Sequence, residues 1–408
     1  MKRLLMIAYH FPPFAGSSGV QRTLRFVQQL PQFGWHPTVL TVHPRGYAQT
    51  SPDLVAEIPP GVDVHRAFVV DTARHLSIGG RYAAFLARPD RWRTWWLGAV
   101  PVGLGLIRRL KPDALWSTYP IATAHAIGAT LNRLTGVPWI ADFRDPMAQD
   151  GYPEDPTTWQ AFARIERDTI PNARRSVFTT RGAARLYGER FPDFADRLTV
   201  IENGFDEESY ASVRPDPTPL VPGRVTLLHS GIIYPVERDP SALFEALARL
   251  SANGVVSPET FRIRFRASSH DAHIQRLADH YAVGGLIEYA PPIPYRDALA
   301  EMMRADGLLV MQANNCNEQI PAKVYEYIRA GQPILGLTDP AGDTADLLER
   351  AGVKHVAALE NVEAMTDTLA RFLQDLAAGR IPKQDAVSAG QFSRLARTRA
   401  LADLLDQL

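Results

Sequence analysis

The sequence predicts an α/β protein of two Rossmann-like domains, each a doubly wound parallel sheet, facing one another across a cleft. Its apolar runs are continuous rather than alternating, the pattern of strands buried on both faces of a parallel sheet. Amphipathic stretches of helix length separate those runs, as β-α-β crossovers require. The pattern stops near the middle and restarts, and 408 residues exceed one ordinary core while sufficing for two domains of roughly 200.

In the first half, "RLLMIAY" reads as an opening buried strand, followed by a glycine loop, the helical "GVQRTLRFVQQLPQFG" and the strand "HPTVLTV". "DALWSTY", "VPWIADF", "RRSVFTT" and "LTVIENG" supply further strands, with "AHAIGATLNRLTG" as a helix between the first two. Residues 1–205 are therefore assigned to an N-terminal Rossmann-like domain. Residues 206–224 hold four prolines and little apolar periodicity, so they read as a linker. The alternation resumes with "VTLLHSG", "PSALFEALARLSANG", "FRIRFRAS", "LIEYAPP", "YRDALAEMMRADG" and "LLVMQA", giving a C-terminal domain over 225–390. Helical spacing of apolar residues in "FSRLARTRALADLLDQL" predicts a terminal helix within 391–408, free to cross back to the first domain.

Composition excludes several classes. Lys plus Arg and Asp plus Glu both number 44, so no bulk charge draws the chain to nucleic acid, and any basic site has to be local. The single cysteine, Cys316, excludes an intramolecular disulfide and a zinc site built on several thiolates, and reads as a small buried residue. The histidines show no H-E-x-x-H or other ligand spacing, so neither a metal nor another cofactor is expected. No G-x-S-x-G elbow points to a serine hydrolase. "MKRLLMIAYHFPPF" lacks the apolar core and cleavage site of an export signal, and no window of about 18 apolar residues occurs. The expected location is cytoplasmic, with peripheral attachment to the inner face of a membrane as an option.

"NNCNEQIPAKVYEYIRAGQPILGL" carries the most chemistry. It sets Glu318 on the loop after the strand "LLVMQA", and Glu326 inside a helix "PAKVYEYIRAG" with Pro321 near its first turn. The free amides and dipole at such a helix start suit a diphosphate, and a carboxylate at Glu326 can accept two hydrogen bonds from a ribose hydroxyl pair. Two solvated glutamates are the plain alternative. In "FPPFAGSSGVQR", Gly16 and Gly19 would let the backbone approach a ligand, although the spacing is not the dinucleotide fingerprint and a tight turn explains it equally. "HSGIIYPVERDP" repeats the theme with Gly231 after a strand and Arg238 before a helix; a solvated loop charge is the alternative for Arg238. "VPWIADFRDPM" ends a buried strand with Asp142, Arg144 and Asp145 crowded together, a costly place for charge unless the groups pair or meet a ligand.

The stretch "RYAAFLARPDRWRTWWLGAVPVGLGLIRRL" mixes Arg81, Arg88, Arg91, Arg93, Arg108 and Arg109 with Trp92, Trp95 and Trp96. Interleaved arginine and tryptophan suit a lipid headgroup interface, sugar stacking or a packed helix pair. Arg88, Arg91, Arg93, Trp95 and Trp96 are the residues expected to meet an acceptor or a membrane surface.

Together these segments resemble the GT-B glycosyltransferases and, within them, the retaining, nucleotide-sugar-dependent family 4 enzymes. The resemblance covers nearly the whole chain and rests on "YHFPPFAGSSGVQR", "IENGFD", "HSGIIYPVERD" and above all "EQIPAKVYEYIRAGQPIL". It implies that Glu318 and Glu326 are the two acids of a Glu-x7-Glu motif, meeting sugar hydroxyls and ribose respectively. Gly16, Gly19, Asn203, Gly231, Arg238, Pro321, Lys323 and Val324 join them as implied donor-binding positions. The family has Phe-Gly after the first acid, where this chain has Ile320-Pro321, so the loop at the diphosphate is expected to differ. Family members carry a histidine where Arg144 stands, with Asp145 beside it. The implied catalytic set is Arg144, Asp145, Glu318 and Arg238, with Arg238 and Lys323 stabilising the departing diphosphate and no metal required.

The implied activity is transfer of a hexose from a UDP- or GDP-sugar to a hydroxyl acceptor, with retention, in cell-surface polysaccharide or glycolipid synthesis. The acceptor is expected on the N-terminal domain and lipid-linked or polymeric. Two other functions fit the architecture: a non-catalytic sugar-nucleotide binding or scaffold protein, and a sugar-nucleotide 2-epimerase.

Overall fold

Side chains of a parallel strand alternate between the two faces of its sheet, so a strand covered on both sides must be apolar throughout. That rule accounts for the opening strand: Leu5 and Ile7 enter one core while Leu4 and Met6 enter another on the opposite face. The structure is a computed structural model and describes residues 1–16, 19–214, 216–383 and 386–408. It divides into two units, Met1–Glu202 with Arg394–Leu408, and Asn203–Ser393.

The first unit holds a seven-stranded sheet. Its strands are β1 (Lys2–Ile7), β2 (Trp35–Val42), β3 (Val64–Ala67), β4 (Ala114–Thr118), β5 (Trp139–Arg144), β6 (Arg175–Phe178) and β7 (Leu198–Val200), in the spatial order β3-β2-β1-β4-β5-β6-β7. Every pairing is parallel. The order reverses between β1 and β4, and the crevice at the carboxyl ends of such a pair is where doubly wound sheets bind ligands. Helices Trp95–Leu110 and Thr123–Thr135 pack Ala99, Leu106, Ile127 and Leu131 against one face. Helix Gly19–Gln29 packs Leu24 and Val27 against the other.

The chain's last helix, Arg394–Leu405, joins that second face: Leu401, Leu404 and Leu405 are buried in the same core as Leu24 and Leu30. Thr398 Oγ1 donates to Gln29 Oε1 at 2.8 Å, and Arg397 pairs with Glu202 at 2.6 Å. The end of the chain thus belongs to the first unit.

The second unit repeats the plan with β8 (Val225–Ser230), β9 (Phe261–Arg266), β10 (Ile287–Ala290), β11 (Gly307–Gln312), β12 (Ile334–Thr338) and β13 (Val356–Ala357). Their order is β10-β9-β8-β11-β12-β13, again all parallel, with the reversal between β8 and β11. Leu309 and Met311 face one core, Leu308 and Val310 the other. Both units therefore have the doubly wound parallel architecture that the sequence predicts. Within 206–224, Glu207–Ala211 forms a short helix whose Tyr210 is buried in the second unit's core, and Glu207 pairs with Arg329. Among the described residues no helix is long and apolar enough to cross a membrane.

Candidate active site

The switch point of the second unit gathers most of the expected donor residues. Gly231 follows β8 with φ of 136°, and a Cβ built there would lie 2.0 Å from Lys323 Nζ. The missing side chain is what makes room for that ammonium. Lys323 stands in the first turn of helix Ala322–Ala330, and Glu326 follows three residues later on the same face. Burial pulls the Lys323 pKa below its ordinary value; Glu326 works against that shift and Arg238 adds to it. Three charged groups therefore lie within electrostatic reach of one another, with Lys323 the most enclosed of them.

Arg238 is turned back onto its own loop, where Nη1 donates to Ile232 O at 2.6 Å and the guanidinium lies 5.3 Å from the Tyr234 ring centre. That loop is tied to the one after β11, because Ala313 N–H donates to Glu237 O at 2.8 Å. Beneath them His229 is buried on β8, with Nδ1 2.9 Å from Leu309 O. A carbonyl partner fixes the proton on Nδ1, and burial pushes the pKa down to about 3, with Lys323 and Arg238 also opposing a charge. The cationic cluster thus rests on a neutral imidazole.

Glu318 lies half-buried on the loop between β11 and the helix Ala322–Ala330. Gln312 Nε2 donates to Cys316 O at 2.7 Å and Gln319 O at 3.0 Å, and Thr344 Oγ1 also donates to Gln319 O at 3.1 Å. Asn317 Nδ2 donates to Asp339 Oδ2 at 2.6 Å, while Asp343 N–H donates to Asn317 O at 2.9 Å. The loop's backbone is fixed on both sides of Glu318. Pro321 caps the helix rather than occupying its first turn, with φ of −59° and ψ of 130°. Val324 is a core residue: its side chain is 1% exposed and its N–H donates to Pro321 O at 3.0 Å. Cys316 is buried and its thiol is pushed up to about 11 by burial, the inert state expected of it.

Glu326 has partners the sequence did not announce. Its Oε1 accepts from Tyr295 Oη at 2.8 Å, and its backbone oxygen accepts from Tyr210 Oη at 2.7 Å. Tyr295 opens helix Tyr295–Arg304 after the loop "PPIP" that follows β10. An aromatic hydroxyl placed one residue past a proline-rich strand exit was the available signal.

Residues 18–204 match the family described as the glycosyl transferase 4-like domain, a span that fills most of the first unit. The likeness to that family is confined to this part of the chain. No curated protein matches the chain by sequence. Solved structures match over its whole length: sucrose-phosphate synthase from Thermosynechococcus elongatus (15% identity, 100% of this chain and 99% of that one, TM-score 0.70). Anabaena HepE in complex with UDP matches at 12% identity over 100% of both chains, TM-score 0.67. The lipopolysaccharide outer core galactosyltransferase WaaB matches at 11% identity over 100% of both, TM-score 0.63. At these identities the likeness is one of fold, and it extends over both units.

In the first unit the crevice between β1 and β4 holds the other expected residues. Asp142 and Arg144, expected to crowd together, are separated by function: Asp142 is paired to Arg22, whose Nε and Nη2 each donate to a carboxylate oxygen at 2.9 Å. Both are buried, Thr118 adds a bond of 3.1 Å, and Arg22 also donates to Ile201 O and Glu202 O. Arg22, one helical turn into "GVQR", is the pairing partner that sequence reading missed. Arg144 points elsewhere, with Nη1 3.5 Å from Tyr119 O, and Asp145 is held by Thr179 Oγ1 at 3.2 Å. Gly16 has φ of 102° and a Cβ there would approach Gln49 Oε1 to 2.7 Å; Gly19 begins helix Gly19–Gln29, and Ser17 and Ser18 between them lie outside the described residues. Asn203 is half-buried at the start of the second unit.

The arginine-tryptophan segment of this domain is more inward than expected. Trp95 is fully buried in the core, so it meets neither lipid nor acceptor. Arg91 stacks 4.4 Å from the Trp92 ring centre and lies 3.4 Å from Asp71, Arg93 donates to Phe85 O at 2.6 Å, and Arg88 pairs with Asp155 at 3.6 Å. Trp96 is partly exposed, with its indole N–H on Thr130 Oγ1 at 3.0 Å. Sequence spacing cannot separate these roles, because an arginine on an aromatic ring reads the same whether the pair faces solvent or packs.

Proposed function

We propose that the protein transfers a sugar from a nucleotide-diphosphate sugar to a hydroxyl acceptor, with retention at the anomeric carbon. One observation carries this reading: Lys323, Arg238, Glu326 and the braced Glu318 loop converge on the carboxyl ends of β8 and β11. Breaking a glycosidic bond to a diphosphate builds negative charge on the leaving group. Lys323 and Arg238 are charges fixed in place before that happens, so they stabilise the transition state with little reorganisation. Glu326 takes the ribose hydroxyls, and Glu318 takes hydroxyls of the transferred sugar. UDP is the favoured nucleotide, since HepE binds it on the same fold.

In the first unit Arg144 and Asp145 are assigned to the second substrate. A lipid-linked or polymeric acceptor at a membrane surface is supported by exposed Ile78, Tyr82, Phe85 and Leu97 in the same stretch as Arg88, Arg91 and Arg93. Incubation with a panel of UDP- and GDP-sugars tests the activity. Nucleotide release that depends on acceptor supports transfer; conversion of a donor to its epimer, or binding with no release under any acceptor, replaces this reading by epimerase or binding protein respectively.

A further inference from the structure

Arg144 combines three properties that a structural arginine does not need. Its guanidinium makes no ion pair among the described residues, its Nε is enclosed without a hydrogen-bond partner, and its one bond, to Tyr119 O, is long at 3.5 Å. The carboxylate two residues earlier cannot serve it, because Asp142 is saturated by Arg22 and Thr118. Asp145 favours the Arg144 charge from a distance while its own Oδ1 holds Thr179. A half-buried guanidinium with an enclosed Nε and so few partners is costly unless a ligand completes it.

The backbone is bent to aim it. Arg144 has φ of 64°, a left-handed conformation that a non-glycine residue adopts at a cost, and the β5–β6 register shifts between Asp142 and Arg144. Thr179 enforces the bend by donating to Arg144 O from both N (2.8 Å) and Oγ1 (2.9 Å), and Asp145 N–H closes a tight turn onto Phe143 O at 2.8 Å. The bulge sends the side chain over the residue that follows β4, beside the switch point. On the β1 side stands His10, 8% exposed and stacked on Phe14 at 4.6 Å. Burial, with the Arg144 charge adding, pushes His10 down to about 3, so at neutral pH the crevice presents one guanidinium and an uncharged imidazole.

We propose that Arg144 is the seat of an oxyanion, a phosphoryl or carboxylate group, on the substrate that enters the crevice of the first unit, so that the acceptor is an anionic sugar or sugar-lipid. A planar guanidinium binds either group through two parallel hydrogen bonds. That this substrate is the acceptor rests on the transfer reading; the seat rests on the first unit alone.

Calorimetry on the full chain with glucose 6-phosphate, glucuronate, glucose and UDP, wild type against Arg144→Gln and Arg144→Lys, tests it. Both or one of the anionic probes binds wild type at least about tenfold more tightly than glucose, and Arg144→Gln removes that advantage while UDP affinity stays unchanged. Arg144→Lys keeps the charge without the fork and recovers part of the affinity, which a purely structural arginine would not do; it also carries the test if the glutamine variant fails to fold. Glucose binding as well as the anionic probes, or an anionic advantage that survives in Arg144→Gln, overturns the seat. An equal loss of UDP affinity in Arg144→Gln assigns the oxyanion to the donor diphosphate and overturns the anionic acceptor. Failure of wild type to bind UDP, with the anionic advantage intact, removes the transfer reading and leaves the seat standing.

Discussion

Glu326 ties three parts of the second unit together: its helix carries it, Tyr295 donates to its carboxylate, and Tyr210 holds its backbone oxygen. A ribose that replaces water at this carboxylate finds the acceptor already oriented. Glu326→Ala is therefore expected to lower UDP affinity about tenfold or more, and Tyr295→Phe, which keeps the ring but loses the donor, about threefold. Calorimetry that finds the alanine variant unchanged would disprove the ribose contact. A second consequence at this scale concerns acid. His10, His125 and His229 are buried and held near 3, chiefly by burial, while an unfolded chain titrates them near 6.5. Between those values the unfolded chain binds protons that the folded one refuses, so stability is present above pH 6.5 and is lost as pH falls toward 3, by up to about 1.4 kcal/mol per pH unit for each histidine. Urea midpoints should fall from pH 7 to pH 5, and less steeply in His125→Asn; midpoints flat over that range would show that these histidines are not buried neutral.

At the scale of elements, the strands were legible because burial on both faces leaves no polar option, and the helix Ala322–Ala330 because Pro321 and Gly331 mark its ends. The Glu318 loop was only half legible: its acid could be read from spacing, but the atoms that fix it, from Gln312, Thr344 and Asp339, come from three other segments. Tertiary pairing of this kind leaves no periodic trace. The stretch from Leu76 to Leu110 shows the opposite failure. Its tryptophans suggested an outward surface, yet Trp95 is core and the exposed apolar groups are Ile78, Tyr82, Phe85 and Leu97. If this surface meets lipid, flotation with anionic liposomes at low salt should carry the wild type upward and leave Ile78→Ser/Phe85→Ser behind. Arg91 and Arg93 are poorer targets, since reversing them also breaks contacts to Asp71 and Phe85. Wild-type protein that stays unbound would take the membrane out of the acceptor's description.

For the molecule as a whole, the sequence supplied two domains through a restart of the strand–helix pattern, while the ownership of the last helix had to come from packing. Arg394–Leu405 follows the second unit in the chain but buries Leu401, Leu404 and Leu405 with the first. Each unit consequently has its own pair of cores, one on either face of its sheet, and each can lose structure as a cooperative block. The expected donor residues Gly231, Arg238, Glu318, Lys323 and Glu326 all belong to the second block. A nucleotide that binds only there stabilises that block by mass action, about 2.7 kcal/mol at a hundredfold excess over its Kd, and leaves the other where it was. Scanning calorimetry should therefore show two transitions, only one of which rises as UDP is added, and Glu326→Ala should abolish that rise without moving either transition of the free protein by much. Cleavage during the scan, followed by mass spectrometry, identifies which residues remain folded between the transitions. A single transition that moves as one with UDP would mean that the two blocks unfold together, and a rise confined to the block of Met1–Glu202 would place the nucleotide on the first unit and remove Glu326 from its binding site.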